Sequence, residues 1–434
     1  MRFSVLAAAC ALATSSGFTG AQAPAASPLL TYVQALRLAE SGSPVVKLRE
    51  AQLAAAEGVR QQASTLLANN PELSIERRSK STRQSSQPDE NSSGWAFGLT
   101  QTIETGGQQA RRRDAAAALL DALRAEIEEA RRLARSEAAL RFYAVLAAQR
   151  RIQIEQKSLD LFDLSAQTVA KRRAAGEDTR LDANVAVVEA ERARNAVAIA
   201  RQRWLDARGE LASALQLPPS ELPDVAAESA TAPASGSWTN ATVPYKLAQL
   251  LDAAHGLPRL KALVAREDAA RARLSVERAS RSPDVTFGIT LGREGPDSAR
   301  DHVAALTLSV PLPLFKRNEA GIGQALTDMS TAEIERASVL RDQEAQIRRL
   351  WSRLGSQRDR IARLQSTLLP ASTDNQQLSI KSRQAGQIGL LDQLLINRQT
   401  LDAERDLNDA FADYHATRIE LENAADWSLE GASR

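Results

Sequence analysis

The sequence predicts a mainly α-helical chain built from two tandem copies of one unit, in which a pair of β-strands precedes a very long helix. Three observations lead there. Of 434 residues, 4% are aromatic, 43% hydrophobic and 25% charged, which argues against a thick globular core and for slim helices rich in Ala, Leu, Arg, Glu and Gln. From Gln108 to about Arg172 there is neither proline nor glycine. Sliding the chain against itself by 210 positions aligns Arg173 with Arg383, Ala175-Gly176 with Ala385-Gly386 and Leu181-Asp182 with Leu391-Asp392. The same offset brings Trp204 onto Tyr414 and Arg208-x-Glu210-Leu211 onto Arg418-x-Glu420-Leu421. That period is too long for a solenoid and reads as two copies of one large unit.

The elements follow in order. Met1-Arg2, the apolar run Phe3 to Thr14 and the A-x-A pattern Ala21-Gln22-Ala23 form a secretory signal peptide, so residues 1–23 are set apart from the fold, with cleavage near Ala23. Cys10 lies inside that run. Leu6 to Cys10 is a loose lipoprotein-box match that would leave too short a leader, which weighs against lipidation. Once the leader is removed no cysteine remains, so disulfides contribute nothing. The first unit covers 24–217, a Pro/Ser/Ala-rich linker 218–243, the second unit 244–427 and a loose tail 428–434.

Within the first unit, Val45 to Leu67 has helical spacing and Asn69-Asn70-Pro71 stops it. Strands follow at about 71–79 and 94–104. Trp95, Phe97, Leu99 and Ile103 face one way, Ala96, Gly98, Thr100 and Thr102 the other. Ser79 to Ser93 has no large apolar residue and reads as a solvated loop. The second unit repeats the pattern at about 283–292 and 302–313. Val285, Phe287, Ile289 and Leu291 alternate with small or polar residues, as do Leu306, Leu308, Val310 and Leu312.

This period-two pattern fits a half-buried hairpin of a soluble domain. It equally fits membrane strands with the large face toward lipid and the small face toward a lumen. Two hairpins cannot close a barrel, and open edges are not tolerated in lipid. In the membrane reading the chain must oligomerise, and three copies supply twelve strands.

The helix beginning at Gln108 runs for about 65 residues, roughly 100 Å at 1.5 Å per residue. Asn318 to Arg383 is similar apart from Gly321, Gly323, Gly355 and Pro370. Such rods need coiled-coil neighbours, which Thr179 to Leu215 and Gly389 to Ala425 provide through seams at Leu181, Val185, Val188 and at Leu391, Leu394, Leu395. The arginine pairs 112–113, 131–132, 150–151 and 172–173 are assigned to the wet faces.

Several function classes are excluded. A net charge of +2 with both signs interspersed gives no footprint for nucleic acid. Three scattered histidines and one cysteine supply no zinc or iron–sulfur site, and His255, His302 and His415 have no neighbouring nucleophile or ligand spacing. No catalytic residue, metal site or cofactor is assigned. No mature segment has eighteen consecutive apolar residues, so no membrane helix is expected.

The signal peptide, the tandem organisation, the strand entries Asn70-Pro71-Glu72-Leu73 and Pro283-Asp284-Val285, and the twin Ala-Gly turns followed by Leu-Asp together resemble the TolC-like outer-membrane factors. The segments Gln101-x-Ile103-Glu104-x-Gly106-Gly107-Gln108 and Val310-Pro311-Leu312-Pro313-Leu314-Phe315-x-Arg317-Asn318 look like the cobalt–zinc–cadmium efflux branch.

The resemblance implies a homotrimer with four strands per chain in a shared 12-stranded outer-membrane β-barrel, and helices forming an α-barrel across the periplasm. It implies a non-enzymatic exit duct, docked to a periplasmic adaptor (a membrane fusion protein) and powered by an inner-membrane pump of the resistance–nodulation–division (RND) type. Its cargo would be heavy-metal cations. The alternatives are the same duct serving drug export or type I secretion, and a soluble periplasmic coiled-coil scaffold or adaptor.

By motif position, the turns carrying Arg173, Ala175, Gly176, Glu177 and Arg383, Ala385, Gly386, Gln387 correspond to the periplasmic tips that meet the adaptor. A purely structural turn is the other reading. Glu177 and Gln387 depart from the Leu or Thr of drug-exporting relatives. Asp182 and Asp392 correspond to positions lining the entrance, where a ring of carboxylates would favour cations; they equally suit ordinary helix N-termini. Ile388 and Arg383 replace an arginine and a tyrosine that latch some relatives, so that network is not carried over. Trp95, Phe97, Leu99, Val285, Phe287, Ile289, Leu291, Leu306, Leu308 and Val310 would face outer-membrane lipid.

Overall fold

The computed structural model describes residues 29–84, 87–226, 239, 241, 243, 245–296 and 299–427, and the side chains of all of these except 82–91. The expected signal peptide with Cys10, most of the expected linker and the tail from 428 lie outside the described residues.

Helix α1 (Tyr32–Gly42) starts at a capping box: the Gln34 N–H donates to the Thr31 hydroxyl, and the Thr31 N–H to the Gln34 side chain. Helix α2 (Pro44–Ser64) has proline in its first turn, where the missing N–H costs nothing. The hairpin β1 (Glu72–Gln84) and β2 (Gln87–Ile103) leads into α3 (Gln108–Ala174), a rod of 67 residues, and α4 (Arg180–Leu215) returns along it. The second unit repeats this with α5 (Leu247–Ala254), α6 (Pro258–Ala279), β3 (Val285–Glu294), β4 (Asp301–Ser309), α7 (Glu319–Arg363), α8 (Leu369–Gln384) and α9 (Leu390–Ala425). Thus the fold is mainly helical, two tandem units sharing one sheet.

Helix α3 is the spine, packing on α1, α2, α4, α6 and α9. The largest apolar cluster sits around its middle, where Phe142, Tyr143 and Leu146 meet Leu211 of α4, Leu250 of α5, Ile347 and Leu354 of α7, and Tyr414 and Leu421 of α9. A second cluster toward the turns joins Phe162 and Val169 to Ala186, Ala190, Leu390, Leu394 and Leu401. Alanines dominate the α3–α4 seam because a methyl side chain lets two backbones approach closely. Among the described residues no helix is long and apolar enough to cross a membrane.

The structure revises five details. Ser79 to Ser93 is not a loop: β1 and β2 continue as a ladder through Thr82 and Glu90 to Gln84 and Gln87. A two-stranded ribbon pairs its inner backbone groups and leaves the outer ones to water, so it needs no apolar face and the missing hydrophobics do not mark its end. Strand β4 stops at Ser309, because Pro311 and Pro313 have no N–H to donate, which leaves Val310 and Leu312 beyond it. The second long helix is not uniform. Leu364–Leu368 is one π turn, with the Leu369 N–H donating to the Leu364 carbonyl five residues back; Pro370 removes the donor that the α pattern needs there.

The proposed leucine and valine seams lie mostly outside, with Leu181 at 71% and Leu391 at 63% exposure, while Ala186, Ala190, Ala193, Val197 and Ala200 make the buried contact. Not every paired arginine is wet either. Arg132 is buried, bonded to Glu129 and to the carbonyl and side chain of Asn423, and Arg151 leans onto Glu155.

Candidate functional site

Two regions gather the residues singled out by the sequence: the sheet at one end of the rod and the pair of turns at the other.

The sheet has strand order β1-β2-β3-β4, all antiparallel, so β2 of the first unit pairs directly with β3 of the second. Residues opposite one another share a face. One face therefore reads in rows: Ile103–Val285; Gln101–Phe287–Leu308; Leu73–Leu99–Ile289–Leu306; Ile75–Phe97–Leu291–Ala304; and Arg77–Trp95–Arg293–His302. Trp95, Phe97, Leu99, Phe287, Ile289, Leu291, Leu306 and Leu308 are all exposed, Leu306 to 86%. Val285 is half-buried. Val310 is exposed but lies one residue past β4.

The opposite face is small and polar, with rows such as Ser74–Gly98–Thr290–Ala305 and Glu76–Ala96–Gly292–Val303. It is also the crowded face: Gly98 and Gly288 are buried while their neighbours Phe97, Leu99, Phe287 and Ile289 are exposed. A methyl group at Gly292 would lie 2.7 Å from the Trp95 carbonyl oxygen and 2.9 Å from Ala96 Cβ. Side chains converge on the concave side of a curved sheet, so the small residues there suit a curl toward the polar face, with the apolar face as the convex side of that curl. Both outer strands are open edges, and every residue of β4 is exposed.

The two turns at the far end are built alike. Helix α3 closes with the Gly176 N–H donating to the Arg173 carbonyl at 3.0 Å and the Glu177 N–H to the Arg172 carbonyl at 2.9 Å. In α8 the equivalents are Gly386 to Arg383 at 3.1 Å and Gln387 to Ser382 at 2.9 Å. Gly176 at φ +84° and Gly386 at φ +70° supply the left-handed residue that this helix ending requires.

Asp182 and Asp392 each sit at the third position of the returning helix. The Asp182 N–H donates to the Thr179 hydroxyl at 3.1 Å, while its carboxylate accepts from the Thr179 hydroxyl at 2.7 Å and the Thr179 N–H at 3.1 Å. Those bonds hold the Asp182 carboxyl below the ordinary aspartate range, with the Arg383 charge adding to the effect. Among the described residues Asp392 accepts the Gly389 N–H alone, at 3.1 Å, since glycine has no hydroxyl to return.

Sequence reasoning passed over Asp178, the residue that joins the two turns. Its side chain is 5% exposed, with Arg383 Nη2 at 2.8 Å from Oδ1 and Arg172 Nε at 3.3 Å from Oδ2. Arg383 also donates to the Ile388 carbonyl at 3.4 Å. The available signal was Asp178 lying two residues past the turn glycine, among the basic residues that end both helices. Glu177, meanwhile, makes an exposed ion pair with Arg172 at 3.4 Å. Among the described residues no group of three His, Cys, Asp or Glu side chains is placed to hold a metal ion.

Comparison with known proteins places this geometry. The outer membrane efflux protein family matches residues 35–216 and 251–425, one stretch in each unit. The cobalt-zinc-cadmium resistance protein CzcC of Cupriavidus metallidurans is 27% identical over 403 residues, spanning 88% of this chain and 85% of that protein. Among solved structures, the outer-membrane channel OprN superposes with a TM-score of 0.73 at 19% identity, over 92% of this chain and 90% of its own. CusC, whose structures concern folding and transmembrane channel formation, gives 0.72 at 16% identity, over 91% of both chains.

Proposed function

The chain belongs to the outer membrane efflux protein family, whose members are channels and not enzymes, and from that premise we propose that it is the exit duct of a three-part export machine for heavy-metal cations. The observation that carries the duct is the four-stranded sheet with an exposed apolar face, a small polar face and two open edges. β1 and β4 run antiparallel, so β4 of one copy extends the ladder onto β1 of the next, and three copies close twelve strands with no edge left in lipid. The small, polar face then lines the lumen, and the α-helical rods continue the passage across the periplasm.

A duct has no energy source, so transport is driven by an inner-membrane RND pump coupled through a periplasmic adaptor. The adaptor meets the turns at Ala175-Gly176-Glu177 and Ala385-Gly386-Gln387, which stand at the end of the rods farthest from the sheet. Asp182 and Asp392 serve as helix caps and, repeated by threefold symmetry, as a ring of six carboxylates that favours cation entry. The metal cargo is inferred from the likeness to CzcC.

A metal-sensitivity panel tests this reading. A strain lacking the gene should become sensitive to cobalt, zinc or cadmium and regain resistance when the chain is restored. Sensitivity only to organic compounds would assign the duct to drug export. Recovery of the processed chain as a soluble monomer would overturn the duct itself.

A further inference from the structure

The last row of the convex face breaks the pattern of the rows beside it. Where those rows hold Leu, Ile, Phe and Val, with Gln101 and Ala304 as their other members, this one holds Arg77, Trp95, Arg293 and His302, in register across all four strands and all exposed. It lies at the end nearest the hairpin turns. Four row steps separate it from Ile103–Val285, eight residues of strand or about 27 Å, and a tilt of about 40° reduces that to roughly 20 Å of depth. The row therefore falls at the boundary of the apolar band, within reach of an arginine side chain that extends toward the headgroups.

Among the described side chains, no acidic one shares its face. The neighbouring acids Glu76, Glu294 and Asp301 belong by strand alternation to the opposite face, where Arg78 pairs with Glu76 at 2.8 Å. On the convex face, Arg293 Nε donates to His302 Nδ1 at 3.4 Å, a contact between two basic groups. Trp95 packs edge-on against Phe97 at 4.9 Å, anchoring the row to the apolar surface below it.

We propose that Arg77, Arg293 and His302, with Trp95 between them, form a binding strip for the phosphate groups of lipid headgroups in the membrane leaflet farther from the helices. The inference rests on the reading of the convex face as lipid-facing. The guanidinium fork matches phosphate oxygens, and tryptophan favours the headgroup level. Continuity with the apolar rows selects a lipid over a soluble anion, because the ligand's acyl chains lie against Phe97 and Leu291 while its phosphate meets the arginines. Three copies would place six arginines around the barrel.

The test uses the full processed chain, reconstituted in vesicles of phosphatidylcholine alone or with phosphatidylglycerol or lipid A, followed by native mass spectrometry of the lipids retained. The unaltered chain should retain phosphatidylglycerol or lipid A in preference to the zwitterionic lipid. In the triple variant R77Q/R293Q/H302Q that preference should fall by about tenfold, with vesicle insertion unchanged. Equal retention of zwitterionic and anionic lipids by the unaltered chain would overturn the proposal, even if the triple variant did not fold. So would an undiminished preference in an inserted variant. Failure of the unaltered chain to enter vesicles of any composition would remove the lipid-facing reading as well, which separates the two failures.

Discussion

Arg383 and Asp178 lie 205 residues apart in sequence, yet the guanidinium of one and the carboxylate of the other meet at 2.8 Å and bind the turn of the second unit to that of the first. Arg172 Nε lies 3.3 Å from the second carboxylate oxygen, an ion pair without an aligned hydrogen bond, so three side chains from both hairpins share one ion cluster at the end of the rod. The side chain of Asp178 is nearly enclosed and that of Arg383 largely so. R383A should therefore release the two turns from each other at a cost of about 1–3 kcal/mol, less than a fully buried pair because Arg172 remains. Hydrogen exchange should speed up at 174–180 and at 384–390 together. A double-mutant cycle with D178N should show the coupling; additive effects would mean that the contact contributes nothing.

Asp182 gives a pH-dependent prediction. Its folded-state pKa is depressed by Thr179, so its capping contribution is complete above the ordinary aspartate pKa and is lost as pH falls through the lower folded value. Amide protection in the first turn of α4, corrected for intrinsic exchange, should drop in acid, and D182A should remove that pH dependence. D182A should cost about 1 kcal/mol at neutral pH and D392A less. Single-channel recordings of the double variant check the carboxylate ring: cation preference should decline.

Two glycines of opposite kind can be compared. Gly176 has open space around it but φ of +84°, so G176A incurs only the backbone penalty, about 1 kcal/mol, and should lower stability. Gly355 lies within α7, also in open space and with ordinary helical backbone, so G355A should raise stability by up to about 1 kcal/mol. Thermal or denaturant unfolding should shift in opposite directions.

Ile289 occupies the middle row of the convex face, paired with Leu99 on one side and Leu306 on the other. Arginine there should destabilise the membrane-inserted form by about 2–4 kcal/mol, and the same change at Thr290, on the concave face, by much less. Urea titration of the vesicle-inserted protein measures both. Equal effects would mean that lipid does not distinguish the faces.

What the sequence made legible depended on periodicity. The alternation through Trp95, Phe97 and Leu99 located a strand and its large face because the period of a strand is two, and the proline-free run after Gln108 located the spine. What escaped had no such pattern. The ladder beyond Ser79 is polar throughout, so nothing in its composition distinguishes ribbon from loop. The α3–α4 seam rests on alanines, which look the same on a wet face as on a dry one, and so the apolar pattern points to Leu181 and Leu391 where Ala186 and Ala190 make the buried contact. At the turns, Gly176 and Gly386 were readable because a positive φ selects glycine. Asp178 was not, since its partner Arg383 is brought near only by tertiary packing.

The pairing of β2 with β3 sets an order of events for the nascent chain. Trp95 and Arg293 are direct ladder partners, and the whole of α3 and α4 must be made before the second of them exists. Until then the first hairpin carries two bare edges and a greasy surface, a species prone to cling to whatever strand it meets. Assembly therefore favours helices that fold early and hold the hairpin in place, with insertion as the concluding act, and a chain cut short before Val285 should be an aggregation hazard and not a smaller pore.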